Sequence, residues 1–567
     1  MCKAWASRRL AATALPDQTC WMSSGLLEDA SFNQSPDFGN VDLFSTDRPL
    51  ADAAARGGLD LAGLSACGKD YGAADTLDLG RIANENPPKL HIVDGKGNRI
   101  DFVEFHPAYH TLMAKSIGHG IHASAHDGSD KPGPASTRAV RLYLATQAES
   151  GHLCPITMTH ACIGALRSEP ALLAKWLPKI QTRTYDPRPL PWWEKNGVTL
   201  GMGMTERQGG TDVRANITQA VPAGDHVEII GHKWFMSAPM CDAFLVLAQA
   251  VGRPEGGGLT CYLMPRYRPD GSQNAIRFQR LKDKLGNKSN ASSEVEFHGA
   301  YAERVGAEGA GVRTIIEMVN LTRLDCAIAS AGQMRIALSQ ALNHIRHRSV
   351  FQRRLADQPS MRATVADLAL ELEAQVALVF RLCRASERAA SDPAEAAYAR
   401  LLTPAVKFLV CKTTPQIVYE ALECLGGNGY TEDLPLARYF RESPLNAIWE
   451  GSGNVMALDV LRAAGRHPDQ AMATVGALTK TASAAFDVRP LAETLGTVLR
   501  SGDAERRARF LCEGLAKIAA LAALAEAKSD FATVYGDTRL NGTKFAQFGT
   551  ADLGGAEAAL VDRALAA

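Results

Sequence analysis

Gly201-Met202-Gly203-Met204-Thr205-Glu206-Arg207-Gln208-Gly209-Gly210-Thr211-Asp212 is the stretch on which the reading of the fold turns. It lies just past residue 198, where the texture of the chain changes. Upstream, over about 78–197, apolar residues recur at roughly helical intervals, as at Tyr109, Leu112 and Met113 and at Val140, Leu142, Leu144 and Ala145. Downstream, short strand-like runs at 227–230, 244–247, 259–263 and 294–297 are divided by Gly and Pro clusters at 254–258 and 269–271. The stretch itself lets backbone N–H groups approach a ligand through its small residues, and its Thr hydroxyls add directional hydrogen bonds. It lacks the G-x-G-x-x-G spacing and the strand–turn–helix context of a dinucleotide fingerprint. A structural Gly-rich turn and a ligand loop both remain open at this point.

Past Gly311 the helical spacing returns. Met334, Leu338, Leu342 and Ile345 form one apolar stripe, and Val365, Leu368, Leu372, Val376, Val379 and Leu382 form another. Asp392-Pro393 starts a third helix that Gly426-Gly427 stops, and a shorter helix runs from about Gly453 to Gly465. The expected organisation is an irregular extension over 1–77, a helical domain over 78–197, a β domain over 198–305, a four-helix domain over 306–465 and an Ala-rich helical appendix over 466–567. The first 16 residues hold Lys3, Arg8 and Arg9 and no acid, a faint transit-peptide character read here as a plain extension.

Composition narrows the function. Sixty-one basic and 61 acidic side chains leave no global field to recruit nucleic acid or anionic lipid. No apolar run approaches the ~20 residues of a membrane span. The 12 cysteines include no C-x-x-C pair, which argues against a structural zinc site or disulfide scaffold and for a reduced, cytoplasmic setting.

Three further segments carry chemical content. Gly231-His232-Lys233-Trp234-Phe235-Met236-Ser237 is an aromatic cluster ending in a hydroxyl; it suits a core, or a planar cofactor with the hydroxyl bonded to a ring nitrogen. Ile448-Trp449-Glu450-Gly451-Ser452-Gly453-Asn454 sets one carboxylate between large apolar residues and a small-residue turn. Desolvation there raises a carboxyl pKa towards the range a general base needs, while a nearby helix N-terminus opposes the rise. Glu450 as a simple helix cap stays open. The basic run 344–354, from His344 to Arg354, reads as a solvated helix end, a phosphate or pyrophosphate site or, with Phe351 its one interleaved aromatic, a nucleic-acid contact. His160 reads as a core residue or as a support behind the site.

The order and spacing of these segments resemble the acyl-CoA dehydrogenase family of flavoproteins. That family has a helical domain, a central antiparallel β-barrel-like domain and a C-terminal four-helix domain. Within it, Phe32-Asn33-Gln34, residues 83–88 (ANENPP), 105–110 (FHPAYH), 153–159 (LCPITMT), 201–206 (GMGMTE) and 280–292 (RLKDKLGNKSNAS) resemble the AidB-type branch. The likeness spans about residues 30–465. It implies bound FAD, with Met202, Gly203, Met204, Thr205, Gln208, Gly209, Gly210 and Thr211 along the flavin and its ribityl–phosphate tail. Phe235, Met236 and Ser237 would lie at the ring. Arg348 and Phe351, with Gly426 and Gly427, would reach the cofactor of a neighbouring subunit in a homotetramer. Ile448, Trp449, Gly451, Ser452, Gly453 and Asn454 would hold the cofactor beside a catalytic Glu450. Thr211 stands where Ser is usual in the family, Phe235 where Trp is common, and Thr322 where the isovaleryl-CoA branch has its alternative glutamate.

The residue types suit dehydrogenation of an acyl-CoA or related thioester: a carboxylate takes the α-proton and a flavin accepts the β-hydride. The lead expectation is an FAD-dependent dehydrogenase of short or branched acyl thioesters. The alternative is a DNA-binding flavoprotein of the alkylation response, whose DNA surface the AidB likeness places in the C-terminal region. That region carries as many acids as bases, and Arg506-Arg507-Ala508-Arg509 is its one local basic cluster.

Overall fold

The computed structural model describes residues 33–251, 259–541 and 546–566; residues 1–16, Phe32 and the 254–258 cluster lie outside them. The strand-like runs close the centre of the chain into a barrel. Its ring consists of β4 (Gln219–Ala223), β5 (His226–Ser237), β9 (Ser292–Val305), β7 (Leu259–Pro265) and β6 (Ala243–Ala250), the last returning to β4. Short β3 (Leu200–Gly203) adds to β6, and β8 (Ile276–Leu281) adds to β9. Pairing is antiparallel except along β6, where both β3 and β4 run parallel to it. β6 and β7 are buried along almost their whole length because helices cover their outer faces.

Helices flank the barrel on both sides, and one hydrophobic core runs through all of it. The Gly311–His347 helix, 37 residues long, packs against Leu153–Leu166, Pro134–Ala148, Pro359–Arg388 and Pro393–Cys424. Being surrounded, it buries residues on every side, from Ile315 to Ile345. Asp392 caps the Pro393–Cys424 helix by accepting from the N–H of Ala394 at 2.8 Å, with Pro393 in the first turn. Gly453–Arg466 completes the four-helix domain.

Three expectations need correction. Residues 41–77 are not an irregular extension: helices Arg48–Arg56 and Leu61–Gly72 bury Leu50 and Tyr71 completely. Both start from an aspartate cap, Asp47 and Asp60, and owe their weak sequence signal to Ala and Gly on the packed faces. Gly68 and Gly72 touch residues 41–44, where a Cβ would collide with Phe44 and Val41. The first helical domain also contains a β-hairpin, β1 (Lys89–Val93) with β2 (Arg99–Glu104). Third, the C-terminal region is no appendix. Its Ala508–Glu526 helix packs on Pro359–Arg388, Pro393–Cys424 and Gly453–Arg466. In the next helix Arg539, fully buried, pairs with Asp367 and Glu371 of Pro359–Arg388. Such a pair holds position firmly, because removing one member strands the other charge.

Candidate active site

The 204–212 loop is tied to the barrel by a buried ion pair. Lys233 Nζ on β5 lies 2.7 Å from Glu206 Oε1 and also donates to the Leu247 carbonyl at 2.9 Å. Burial works against the Glu206 charge, but Lys233, the Ile217 N–H and the Thr218 side chain outweigh it and hold the carboxyl at about 2. Trp234 N–H donates to the Thr205 carbonyl at 2.8 Å, so the loop and the aromatic strand share one surface. Along β5 alternate residues face opposite ways. Met236 turns into the core, so only its main chain can meet a ligand, while Phe235 is 50% exposed. Ser237 shares a 3.0 Å hydrogen bond with Ser292. Lys282 Nζ sits 3.7 Å from the Trp234 ring centroid and 4.5 Å from that of Phe235. Gln208 donates to Glu206 Oε2 at 2.8 Å, Gly209 has open space about it, and a Cβ at Gly210 would strike Thr205 Oγ1.

Glu450 is held in an unusual backbone state. Its φ is +58° and that of Gly451 is +101°, two left-handed residues in series. For a non-glycine residue this costs about 1–2 kcal/mol. The cost is offset by Lys407, whose buried Nζ donates to the carbonyls of Asn446, Trp449 and Gly451 at 2.9, 2.9 and 2.8 Å. Arg323 Nε donates to the Glu450 carbonyl at 3.0 Å and is anchored on Asp459 at 2.9 Å. The reversal turns the carboxylate away from the following helix, so it is not a cap; Ser452 occupies that position and makes no side-chain cap bond. Glu450 Oε2 instead accepts from Thr322 Oγ1 at 2.6 Å. Desolvation pushes the Glu450 carboxyl above the usual range, against the pull of Thr322, Lys407 and Arg323.

Between these two parts stands Cys154, at the start of the Leu153–Leu166 helix. Its thiol, pushed up to about 12 by burial, lies against the Asn290 amide and the Ser237 hydroxyl and feels the Glu450 charge. Asn290 is 2% exposed, and neither atom of its amide has a partner among the described residues. Lys284 donates to the Asn290 carbonyl at 2.6 Å, and burial lowers its pKa to about 8. The floor of the site is therefore polar.

The remaining expected residues form a separate group. Ser349–Val350 and Arg353–Arg354 make a tight hairpin whose two-residue turn, Phe351-Gln352, has φ of +49° and +62°. Phe351 at its tip is 93% exposed. Asn33 clasps the hairpin, bonding both main-chain groups of Ser349 at 2.8 Å and accepting from Arg348 Nη1 at 2.7 Å. Gln34 meets Asn428 in the 426–430 turn, so the hairpin and the exposed Gly426-Gly427 stand on one face.

Ile448 is 64% exposed, and Trp449 Nε1 donates to Asn446 at 2.8 Å. Thr211 and Ser452 are exposed, whereas Gly203 and Gly453 are buried. Met202 packs partly against the core, as does Met204, whose carbonyl accepts from Asn216 at 2.9 Å. Sequence reasoning missed the supports, namely Thr322 as a hydrogen-bond donor, Arg323, Lys407 and Lys233, together with Cys154 and Asn290. Lys233 alone had a usable signal, as a charged residue on an otherwise inward-facing position of a strand. His160 is buried, stacked at 4.7 Å on His126. The basic cluster is dispersed: Arg506 pairs with Asp503, Arg507 lies over Phe510, and Arg509 Nε donates to Asn454 Oδ1 at 2.7 Å.

Three family models match this architecture. They are the adaptive response protein AidB N-terminal domain over residues 33–187, the acyl-CoA dehydrogenase middle domain over 201–300 and the acyl-CoA dehydrogenase C-terminal domain over 309–465. With the barrel, the four-helix domain and the Glu450 loop in place, the chain belongs to the acyl-CoA dehydrogenase family, FAD-dependent oxidoreductases. Within it, the chain is similar to AidB of Escherichia coli (strain K12), 48% identical over 76% of this chain and 79% of AidB. It is 34% identical to acyl-CoA dehydrogenase family member 11 of Caenorhabditis elegans, over 68% of this chain and 63% of that one. The crystal structure of Caenorhabditis elegans ACDH-11 in complex with C11-CoA superposes with a TM-score of 0.81 at 26% identity, covering 95% and 93% of the two chains.

The residues present fit FAD. The flat, half-exposed Phe235 ring beside a hydroxyl, and the open Gly209 edge beneath the 204–212 loop, offer a planar surface with donors along it. Among the described residues no helix is long and apolar enough to cross a membrane.

Proposed function

We propose that this protein dehydrogenates acyl thioesters, with Glu450 as the base that removes the α-proton. The observation that carries the reading is the Glu450 loop: a desolvated carboxylate held in a left-handed turn by Lys407 and Arg323 and aimed by Thr322. Its raised pKa makes it a better proton acceptor, and a positioned base of this kind contributes about 10²–10⁴-fold. FAD, when bound, supplies the hydride acceptor. Phe235 and Ser237 orient it, and Ile448 and Trp449 shield the reacting bond from water.

Short or branched acyl chains suit the site. The floor made by Cys154, Asn290 and Lys284 offers polar atoms where a long alkyl tail needs apolar ones. The Caenorhabditis elegans neighbour was solved with C11-CoA, so a chain-length series discriminates directly. The proposed assembly is a homotetramer, supported by the exposed Phe351 hairpin and Gly426-Gly427 turn on one face. The test is anaerobic titration of purified protein with acyl-CoAs of graded length and branching. Bleaching of the flavin by short or branched chains supports the reading, and bleaching by none of them refutes it.

A further inference from the structure

Asn290, on the loop that leads into β9, carries a buried amide with nothing to bond. The residue is 2% exposed, and among the described residues neither Oδ1 nor Nδ2 has a hydrogen-bond partner. An amide in that state costs free energy until a bound group completes it. The main chain that carries it is clamped on both sides. Lys284 Nζ donates to the Asn290 carbonyl at 2.6 Å, and the Asn290 N–H donates to the Asn287 carbonyl at 3.2 Å. The preceding Ser289 donates to Glu149 Oε1 at 2.8 Å. Glu149 also accepts from the N–H groups of Gly151 and His152 at 2.7 and 2.8 Å, which ties the Asn290 loop to the turn entering the Cys154 helix. The two segments meet so closely that a Cβ at Gly151 would stand 2.0 Å from Ser289 Oγ and 3.2 Å from the Asn290 nitrogen.

The place and the chemistry of the amide select what completes it. The Cys154 thiol lies against the amide and against the Ser237 hydroxyl, and feels the Glu450 charge. The amide therefore stands close to both the proposed base and the proposed flavin face. A thiol is a weak donor and a weak acceptor, so Cys154 does not satisfy it. An alkyl group would leave both amide atoms unpaired. A carboxylate can only accept, so it would oppose Oδ1 and add a second negative charge near Glu450. The Lys284 ammonium does not reverse that preference, because it already feels the charges of Glu442 and Glu149. A hydroxyl both donates and accepts, and answers both halves of the amide.

We propose that Asn290 determines specificity by hydrogen-bonding a hydroxyl on the acyl chain, so that the substrate is a short hydroxyacyl thioester with its hydroxyl beyond the β-carbon. The proposal deepens the dehydrogenase reading above and rests on it. The hydroxyl takes no part in the dehydrogenation: it accepts from Asn290 Nδ2, donates to Oδ1 and fixes the far end of the chain.

The test compares γ-hydroxybutyryl-CoA with valeryl-CoA, a pair in which a methyl group replaces the hydroxyl, and with succinyl-CoA, which puts a carboxylate there. Binding to FAD-loaded, full-length Glu450→Gln is measured by calorimetry, and flavin reduction is measured in wild type. The hydroxyl compound should bind more tightly than the methyl compound by about ten-fold or more and show the higher kcat/KM. Adding Asn290→Leu should reverse the order, and the milder Asn290→Ser should bring the ratio close to one. A ratio within about two-fold of one in the protein that keeps Asn290 would mean that the amide holds a water only, and overturns the proposal. Tightest binding of succinyl-CoA would make Lys284 the determinant and overturns it too. So does loss of FAD from the Asn290 variants with an unchanged ratio, which would make the cofactor the partner of the amide. If wild type is bleached by none of the three or by any other acyl-CoA, the dehydrogenase reading fails, and the binding ratio still decides the Asn290 site.

Discussion

Replacing Thr322 by Val removes one hydroxyl beside Glu450 and leaves the shape of the site nearly unchanged. The hydroxyl lies 2.6 Å from Glu450 Oε2 and 3.0 Å from the Val319 carbonyl. It has one proton to give. When Glu450 is ionised the proton goes to the carboxylate, whose shorter contact and charge make it the stronger acceptor. When Glu450 is protonated, the carboxyl can donate to the hydroxyl and the hydroxyl can turn to Val319. A hydrogen bond thus persists in both states, and only the difference between them shifts the pKa. A charge-assisted bond exceeds a neutral one by about 1–1.5 kcal/mol, which corresponds to about one pKa unit. The sign is fixed: losing a donor to the charged form raises the Glu450 pKa further. The acid limb of the pH profile for flavin reduction by an acyl-CoA should move up by about one unit. On the alkaline plateau, where the carboxylate is ionised in both proteins, the rate should match or exceed wild type. Stopped-flow flavin bleaching across pH measures both. An acid limb that does not move would show that Glu450 is not the group whose ionisation limits the reaction.

Other outcomes follow from the same contacts. Lys407→Met removes three hydrogen bonds from the left-handed Glu450 turn, and flavin reduction should fall by about ten-fold or more while FAD is retained; wild-type turnover would mean the turn holds itself. Arg539→Met strands Asp367 and Glu371 in the interior and should cost about 3–5 kcal/mol in chemical denaturation; a loss below about 1 kcal/mol would contradict the burial argument. Burial lowers the pKa of His122 to about 4, so the unfolded chain binds more protons than the folded one between that value and about 6.5. Stability is then complete above the upper limit and lost as pH falls. His122→Gln keeps a donor for the Thr182 carbonyl and should reduce the drop in melting temperature across that window, whereas an unchanged slope would place the titration elsewhere. Phe351→Asp should shift sedimentation towards smaller species and lower flavin content; a monomer that keeps its flavin would detach the hairpin from any neighbour's cofactor.

The parts of the fold that could be read directly are those where burial leaves a periodic trace. The strand runs at 244–247 and 259–263 are apolar throughout because both faces are covered, and the stripes at 334–345 and 365–382 mark helices packed around a shared core. Helices Arg48–Arg56 and Leu61–Gly72 left little trace, since close packing there demands Ala and Gly and so erases the apolar contrast. Asp47 and Asp60 were their only local marks. The hairpin ending in Glu104 was hidden by its exposed alternate residues, although the Asp94–Asn98 turn was in plain view.

The candidate site divides in the same way. The segments proposed to hold the ligand are contiguous and stand out as motifs. Their supports come from far along the chain: Thr322 and Arg323 from the long central helix, Lys407 from the third, Arg509 from the C-terminal region. Nothing local marks a threonine or lysine in a helix as the partner of a loop that follows much later. Glu450 itself was open to a capping role until its positive φ showed the carboxylate turned away from the helix.

The most direct measurement compares the visible spectrum of wild-type protein with that of Glu450→Gln during anaerobic titration with a short branched acyl-CoA. Both should purify with FAD in stoichiometric amount, because the substitution keeps the volume of the side chain and a group that can bond Thr322. Wild type should lose its flavin absorbance promptly, and the variant should do so more slowly by about 10²–10⁴-fold. Equal rates in the two proteins, or no bleaching in either with any acyl-CoA, would contradict proton abstraction by Glu450.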